Sequence, residues 1–263
     1  MDTVVFGLAC LVTLTATAVS VRDAWAKRAQ TTYRLARWGR SVSAAVCFIG
    51  SALSVPAVAD WCADATRVDN IAKLVSHLCA VGFIGGLQVM VADWTYGREF
   101  VGAAMRVRLL IAALVEILLT VLFLRGNRPG IEFTTDFADH HIVTGYLLVY
   151  LAFGTYGALE TCALCFAMAR ALPNHPSHAK TLRIGLLLVS IGAAATVGYV
   201  ISKGGYLLAN LAGNPWPLAV EKALSSPLAG LSILFILTGL TFVAVDSQRR
   251  RSTAHTPLEA PST

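Results

Sequence analysis

The chain has 263 residues, of which 56% are hydrophobic and only 14% charged, with a net charge of +6. A soluble domain carries about 25% charged residues, so this composition excludes an ordinary water-soluble core and points to membrane-spanning helices. The excess positive charge sits between apolar runs rather than in one patch, which argues against nucleic acid as a partner and for a protein oriented in a bilayer by its loops.

In chain order the apolar runs predict an all-α, polytopic bundle of seven transmembrane helices: Thr3–Val21, Ser41–Ala59, Asn70–Val91, Leu109–Leu124, Ile142–Ala169, Leu182–Leu211 and Pro227–Val245. Residues 1–245 form the membrane domain, and the polar, proline-containing 246–263 reads as a disordered cytoplasmic tail. The first run is not read as a cleaved signal peptide. Asp2 precedes it and Arg22, Lys27 and Arg28 follow it, the reverse of the signal-peptide charge order.

Loop charge alternates. Arg22, Lys27, Arg28, Arg34, Arg37 and Arg40 follow the first span. Arg98, Arg106 and Arg108 follow the third; Arg170, Lys180 and Arg183 the fifth; Arg249, Arg250 and Arg251 the last. Asp60, Asp64 and Asp69 follow the second, and Glu132, Asp136 and Asp139 the fourth. The positive-inside rule then predicts an external N-terminus and a cytoplasmic C-terminus. The first basic loop also carries Trp25, Tyr33 and Trp38, and reads as a segment lying on the inner leaflet.

Ionisable groups inside the spans are the functional candidates, because a charge at membrane depth needs a partner or a purpose. His77 lies roughly 10 Å from the outer end of its span and Glu116 roughly 10 Å from the inner end of its own. Lys73 and His77 are one helical turn apart, as are Tyr199 and Lys203 at a similar depth on a helix running the opposite way. Tyr146, Tyr150, Gly157 and Glu160 share a face of the fifth span. Polar stripes on three helices predict an interior pocket open outward, with Lys73, His77, Glu116, Tyr199 and Lys203 as its ligand-binding candidates. The plainer alternative is that the same groups anchor helices at the interface or tie them together. Gly82 and Gly86 read as a helix-packing motif, and the adjacent Gly204 and Gly205 as a place where the sixth span could break.

No metal site, cofactor or enzymatic activity is expected. Cys162 and Cys165 have C-x-x-C spacing but lie on a membrane helix with no second pair, so they read as packing residues. His140 and His141 read as a solvated loop, and phosphate-loop and hydrolase motifs are missing.

The stretch Ala44–Phe83, with Pro56, Asp60, Asn70, Leu74 and His77, resembles a family of actinobacterial integral membrane proteins held to be transporters. The resemblance implies a seven-helix membrane domain but supplies no substrate. Members often continue into a soluble cytoplasmic domain, which this chain, ending at Thr263, is expected to lack. Besides the lipid bilayer, the partner expected is a small-molecule ligand in a transporter or permease. In the alternative, a membrane sensor or scaffold, it is a cytoplasmic protein.

Overall fold

The computed structural model describes the backbone of residues 2–29, 34–172 and 177–254, with side chains for 7–29, 34–172 and 180–245. It is all-helical: α1 (Asp2–Ala26), α2 (Arg34–Leu53), α3 (Pro56–Thr66), α4 (Ile71–Thr95), α5 (Arg98–Gly126), a single 3-10 turn (Thr135–Phe137), α6 (His141–Ala171), α7 (Ser177–Leu211) and α8 (Leu218–Ala254). Six of the helices are long and apolar enough to cross a membrane, seven if the bent pair α2–α3 is counted as one span. The chain is a helical membrane bundle.

Most helices run past the apolar spans read from the sequence, by as much as eleven residues at the start of α5; three further boundaries differ at prolines or at the C-terminal end. The second span ends at Leu53, not Ala59. Val55 is extended (φ −77°, ψ 122°) before Pro56, which opens α3, because the proline ring disfavours helical geometry in the residue before it. The chain bends there by 85°, so α3 lies across the end of the bundle. The last helix starts at Leu218, not Pro227, and passes through Pro227; a missing N–H inside a membrane helix is tolerated where neighbouring helices pack around it. The same helix continues past Val245 to Ala254, where a disordered tail was expected, and residues 255–263 lie outside the described residues. Gly204 and Gly205 do not break α7, which is continuous to Leu211. Instead Gly205 admits Trp216, whose ring would lie 2.8 Å from any Cβ there.

Packing follows a closed circuit: α1 on α2, α2 on α4, α4 on α6, α6 on α7, α7 on α8, and α8 back on α1. Helix α5 stands outside this ring against α4 and α6, with Leu110, Leu114, Ile117 and Leu124 exposed. Glycines set the closest approaches. A Cβ on Gly86 of α4 would stand 3.1 Å from the carbonyl oxygen of Gly39 on α2, and one on Gly239 of α8 would stand 2.5 Å from that of Gly185 on α7. Gly82 makes only ordinary contact with Val46, so of the predicted packing pair Gly86 carries the approach. The upper end of the ring holds α3, the 127–140 connection and the turn before α8. The lower end holds the last turns of α1, α4, α6 and α8.

This packing predicts a graded glycine response. Gly239→Ala should cost roughly 1–3 kcal/mol by overpacking. Gly145→Ala, with nothing within 4 Å of the new methyl, should be neutral or slightly stabilising. Thermal unfolding of the two purified variants checks the difference.

Candidate functional site

The ring is hollow. A cavity of about 920 Å³ runs down its axis, lined by α2, α3, α4, α6, α7, α8 and the 130–134 loop. Exposed Asp60, Asp69 and Glu132 stand at its upper rim, while Leu87, Thr161 and Ile236 at the lower end are buried. From Lys73 to Leu87 it follows α4 for roughly 21 Å at 1.5 Å per residue.

Four of the five candidates from the sequence, Lys73, His77, Tyr199 and Lys203, line this cavity. Helical periodicity puts Lys73 and His77 on the inner face of α4, with Tyr199 and Lys203 across from them on α7. His77 Nδ1 is 2.8 Å from the Tyr146 hydroxyl, and its ring stacks on Tyr150 with centroids 4.5 Å apart. The imidazole is thereby fixed between α4 and α6. Lys73 pairs with Glu132 at 2.5 Å on the rim. Lys203 Nζ lies 5.5 Å from the Tyr199 ring centroid and 3.9 Å from Glu221 Oε1. Two lysines in one vestibule are tolerable because each has its own acid.

Deeper, the lining turns apolar and hydroxylic. Phe83, Ile84, Leu87, Ile233 and Ile236 form walls, with Thr196 Oγ1 and Ser232 Oγ 2.5 Å apart between them. Thr161 Oγ1, at the floor, is buried without a hydrogen-bond partner. A buried hydroxyl left unpaired costs about 1–3 kcal/mol, so this one is available to a ligand or water.

Glu116 is the exception. It lies outside the cavity, in a shallow cleft between α4 and α5 with Leu78, Ala113 and Thr120. It does not face His77, as a pocket counter-charge would have to. Among the described residues its carboxyl has no hydrogen-bond or ion-pair partner; Thr120 bonds only its backbone carbonyl. Glu116 is placed outward because α5 is peripheral, a fact that one helix's own sequence does not contain.

The residues that close the lower end were not recognised as a group. Glu160 of α6 accepts from Arg108 Nε of α5 at 3.1 Å and from Gln88 Nε2 of α4 at 2.7 Å, while Arg108 also reaches the Tyr96 hydroxyl at 3.2 Å. A second cluster joins α1 to α2, with Asp23 paired to both Lys27 and Arg40, all buried. The first basic segment is therefore not simply a strip on the leaflet. Lys27, Arg37 and Arg40 turn inward while Trp25 and Trp38 remain exposed; Tyr33 lies outside the described residues. Asp23 and the three-residue step from Arg37 to Arg40 were the available signal, masked by ending the first span at Val21.

Glu221 was also missed. It is 1% exposed and accepts from Thr135 Oγ1 at 3.1 Å and Ser225 Oγ at 2.7 Å. Pro217, directly before α8, marked the earlier helix start that would have placed Glu221 in the first turn. Nearby, Lys222 donates to Asp136 at 2.7 Å and holds that carboxyl below the usual aspartate range.

All six cysteines are free, with Cys165 buried as the packing reading expects. Among the described residues no group of three or more His, Cys, Asp or Glu side chains could hold a metal ion. No family model, curated protein or solved structure matches the chain.

The two membrane glutamates should respond unequally to neutralisation. Glu160→Gln strands Arg108, whose side chain is 8% exposed, and should cost on the order of 3 kcal/mol. Glu116→Gln should change stability by less than about 0.5 kcal/mol, as at a site without specific partners. Unfolding of both variants in lipid nanodiscs makes the comparison.

Proposed function

We propose that this chain is a multi-pass cell-membrane transporter or permease whose substrate enters the axial cavity from outside. The observation that carries the reading is the cavity's asymmetry: a wide upper rim and a floor of buried residues, with charge clusters knitting the helices together below it. A pocket built only to stabilise the bundle would be filled, since interior voids forfeit packing contacts. The resemblance of Ala44–Phe83 to a transporter family points the same way. The orientation follows from loop charge: the acidic upper end faces outward and the basic lower end the cytoplasm.

In this reading His77, Tyr150, Tyr199 and Lys203 form the upper binding wall, with one permanent positive charge and three rings. The Arg108–Glu160–Gln88 cluster is the inner gate, because α4, α5 and α6 must separate there for the floor to open. The second reading, a sensor or scaffold, would use the same pocket for ligand recognition and pass the signal through the lower helix ends to a cytoplasmic protein.

Accessibility separates the two. In a cysteine-free background, Thr196→Cys should react with a membrane-impermeant maleimide from the outside only. Adding Glu160→Gln should raise its labelling from the inside at least several-fold if the cluster gates the floor. Unchanged inside labelling, in a protein that remains folded, would contradict transport through this path and favour the sensor.

A further inference from the structure

The floor of the axial cavity holds two buried polar atoms that the protein itself leaves unanswered. Thr161 of α6 and Gln88 of α4 are each 1% exposed, and among the described residues neither Thr161 Oγ1 nor Gln88 Oε1 has a hydrogen-bond partner. Each departs from the ordinary solution. A helical threonine can bond the carbonyl four residues back, as Thr155 of the same helix bonds Leu151 at 2.9 Å and Thr196 bonds Gly192 at 3.2 Å. Thr161 makes no such bond to Gly157. Gln88 cannot turn its amide over, because Nε2 donates to Glu160 Oε2 at 2.7 Å and an amide oxygen there would face a carboxylate. The two side chains are neighbours across the α4–α6 contact. Gln88 Cδ would lie 3.6 Å from a Cβ on Gly157, and Thr161 stands one turn further along α6, about 6 Å away. Gly157 and Thr161 both line the cavity.

We propose that this floor is a subsite for an uncharged hydroxyl group, carried at the leading end of an otherwise apolar ligand. Hydrogen-bond chemistry selects the group. Gln88 Oε1 can only accept, and the Thr161 hydroxyl has a proton to give. A ligand hydroxyl supplies its O–H to the first and a lone pair to the second. An ether or carbonyl oxygen would leave Gln88 unanswered. A carboxylate or an ammonium would bring a charge between walls made by Phe83, Ile84, Leu87, Ile233 and Ile236, where an unpaired charge is unfavourable. The charges nearby already have partners: Glu160 holds Arg108 below the floor, and above it Lys73 pairs with Glu132 and Lys203 with Glu221. The same walls call for an apolar body above the hydroxyl.

The subsite rests on the axial cavity being the ligand site, as the transport reading holds, and adds the class of ligand that reaches its floor. It also connects the ligand to the inner cluster. Gln88 holds the ligand hydroxyl through Oε1 and Glu160 through Nε2, so a ligand seated at the floor bears directly on the contact that ties α4 to α6.

The test is binding measured by fluorine NMR on the full chain in lipid nanodiscs, with the signal from empty nanodiscs subtracted. Four probes share one apolar body: the para-trifluoromethyl derivatives of phenethyl alcohol, ethylbenzene, phenylacetate and phenethylamine. Wild type should bind the alcohol saturably and roughly tenfold or more tightly than each of the other three, because the analogues leave the buried polar atoms unpaired or bring in a charge. Thr161→Val should lower the alcohol's affinity to about that of the ethylbenzene while leaving the ethylbenzene's own affinity within about twofold of wild type. Thr161→Ser should keep the wild-type preference. A threonine with a merely structural role would move both probes together. Should Thr161→Val not fold, Thr161→Ala takes its place, and the four-probe comparison in wild type decides without any variant. Equal affinity for the alcohol and the ethylbenzene in wild type, tighter binding of either charged probe, or equal weakening of alcohol and ethylbenzene in Thr161→Val overturns the hydroxyl subsite and leaves the cavity standing as a ligand site. Saturable binding of none of the four overturns both. The cysteine labelling uses no ligand, so it reads failure of the transport path separately.

Discussion

The architecture depends on one constraint: inside a bilayer a polar side chain must be satisfied by protein or by water held within protein. Helices α4, α6 and α7 carry polar residues along one face each, at lengths that cross the membrane. Those faces cannot all look at lipid. Closing α1, α2, α4, α6, α7 and α8 into a ring turns them onto a common axis, and glycine contacts between α2 and α4 and between α7 and α8 bring the backbones close enough for the ring to close. Helix α5, whose exposed surface is Leu- and Ile-rich, is left outside.

The two ends of the ring satisfy their charges differently, and the difference gives the molecule a direction. At the lower end the clusters tie neighbouring helices: Asp23 holds α1 to α2, and Glu160 binds α4, α5 and α6 together. At the upper end the acids and lysines pair around an opening, through Lys73–Glu132, Lys222–Asp136 and Lys203–Glu221. Of these pairs only Lys203–Glu221 joins a cavity-lining cation to a fully buried acid. It is the place where events in the cavity can be felt by the α7–α8 contact.

The sequence made the helices legible because hydrophobic length and loop charge are strong, local signals. It also made four cavity residues legible, since helical periodicity fixes which side chains share a face. It did not reveal which helix would be peripheral, and Glu116 was misplaced for that reason. A face is a property of one helix, whereas its neighbour is a property of the packing. Boundaries failed at prolines, where the same residue can start, bend or interrupt a helix. Taking Pro227 as a start hid Glu221, and running the second span through Pro56 hid the turn that lays α3 across the end of the bundle. Charges beside the apolar runs were read as loop residues, although helices extending past those runs turn Asp23, Arg40 and Arg108 inward.

The central claim is that the interior of the ring is wet while the face of α5 is in lipid. Spin labels at Ile233, which lines the cavity, and at Ile117, on the exposed face of α5, test it in nanodiscs through collision with a water-soluble nickel chelate and with lipid-soluble oxygen. The account predicts nickel-dominated relaxation at 233 and oxygen-dominated relaxation at 117. Oxygen-dominated relaxation at both positions would mean a dry, closed bundle and would contradict it.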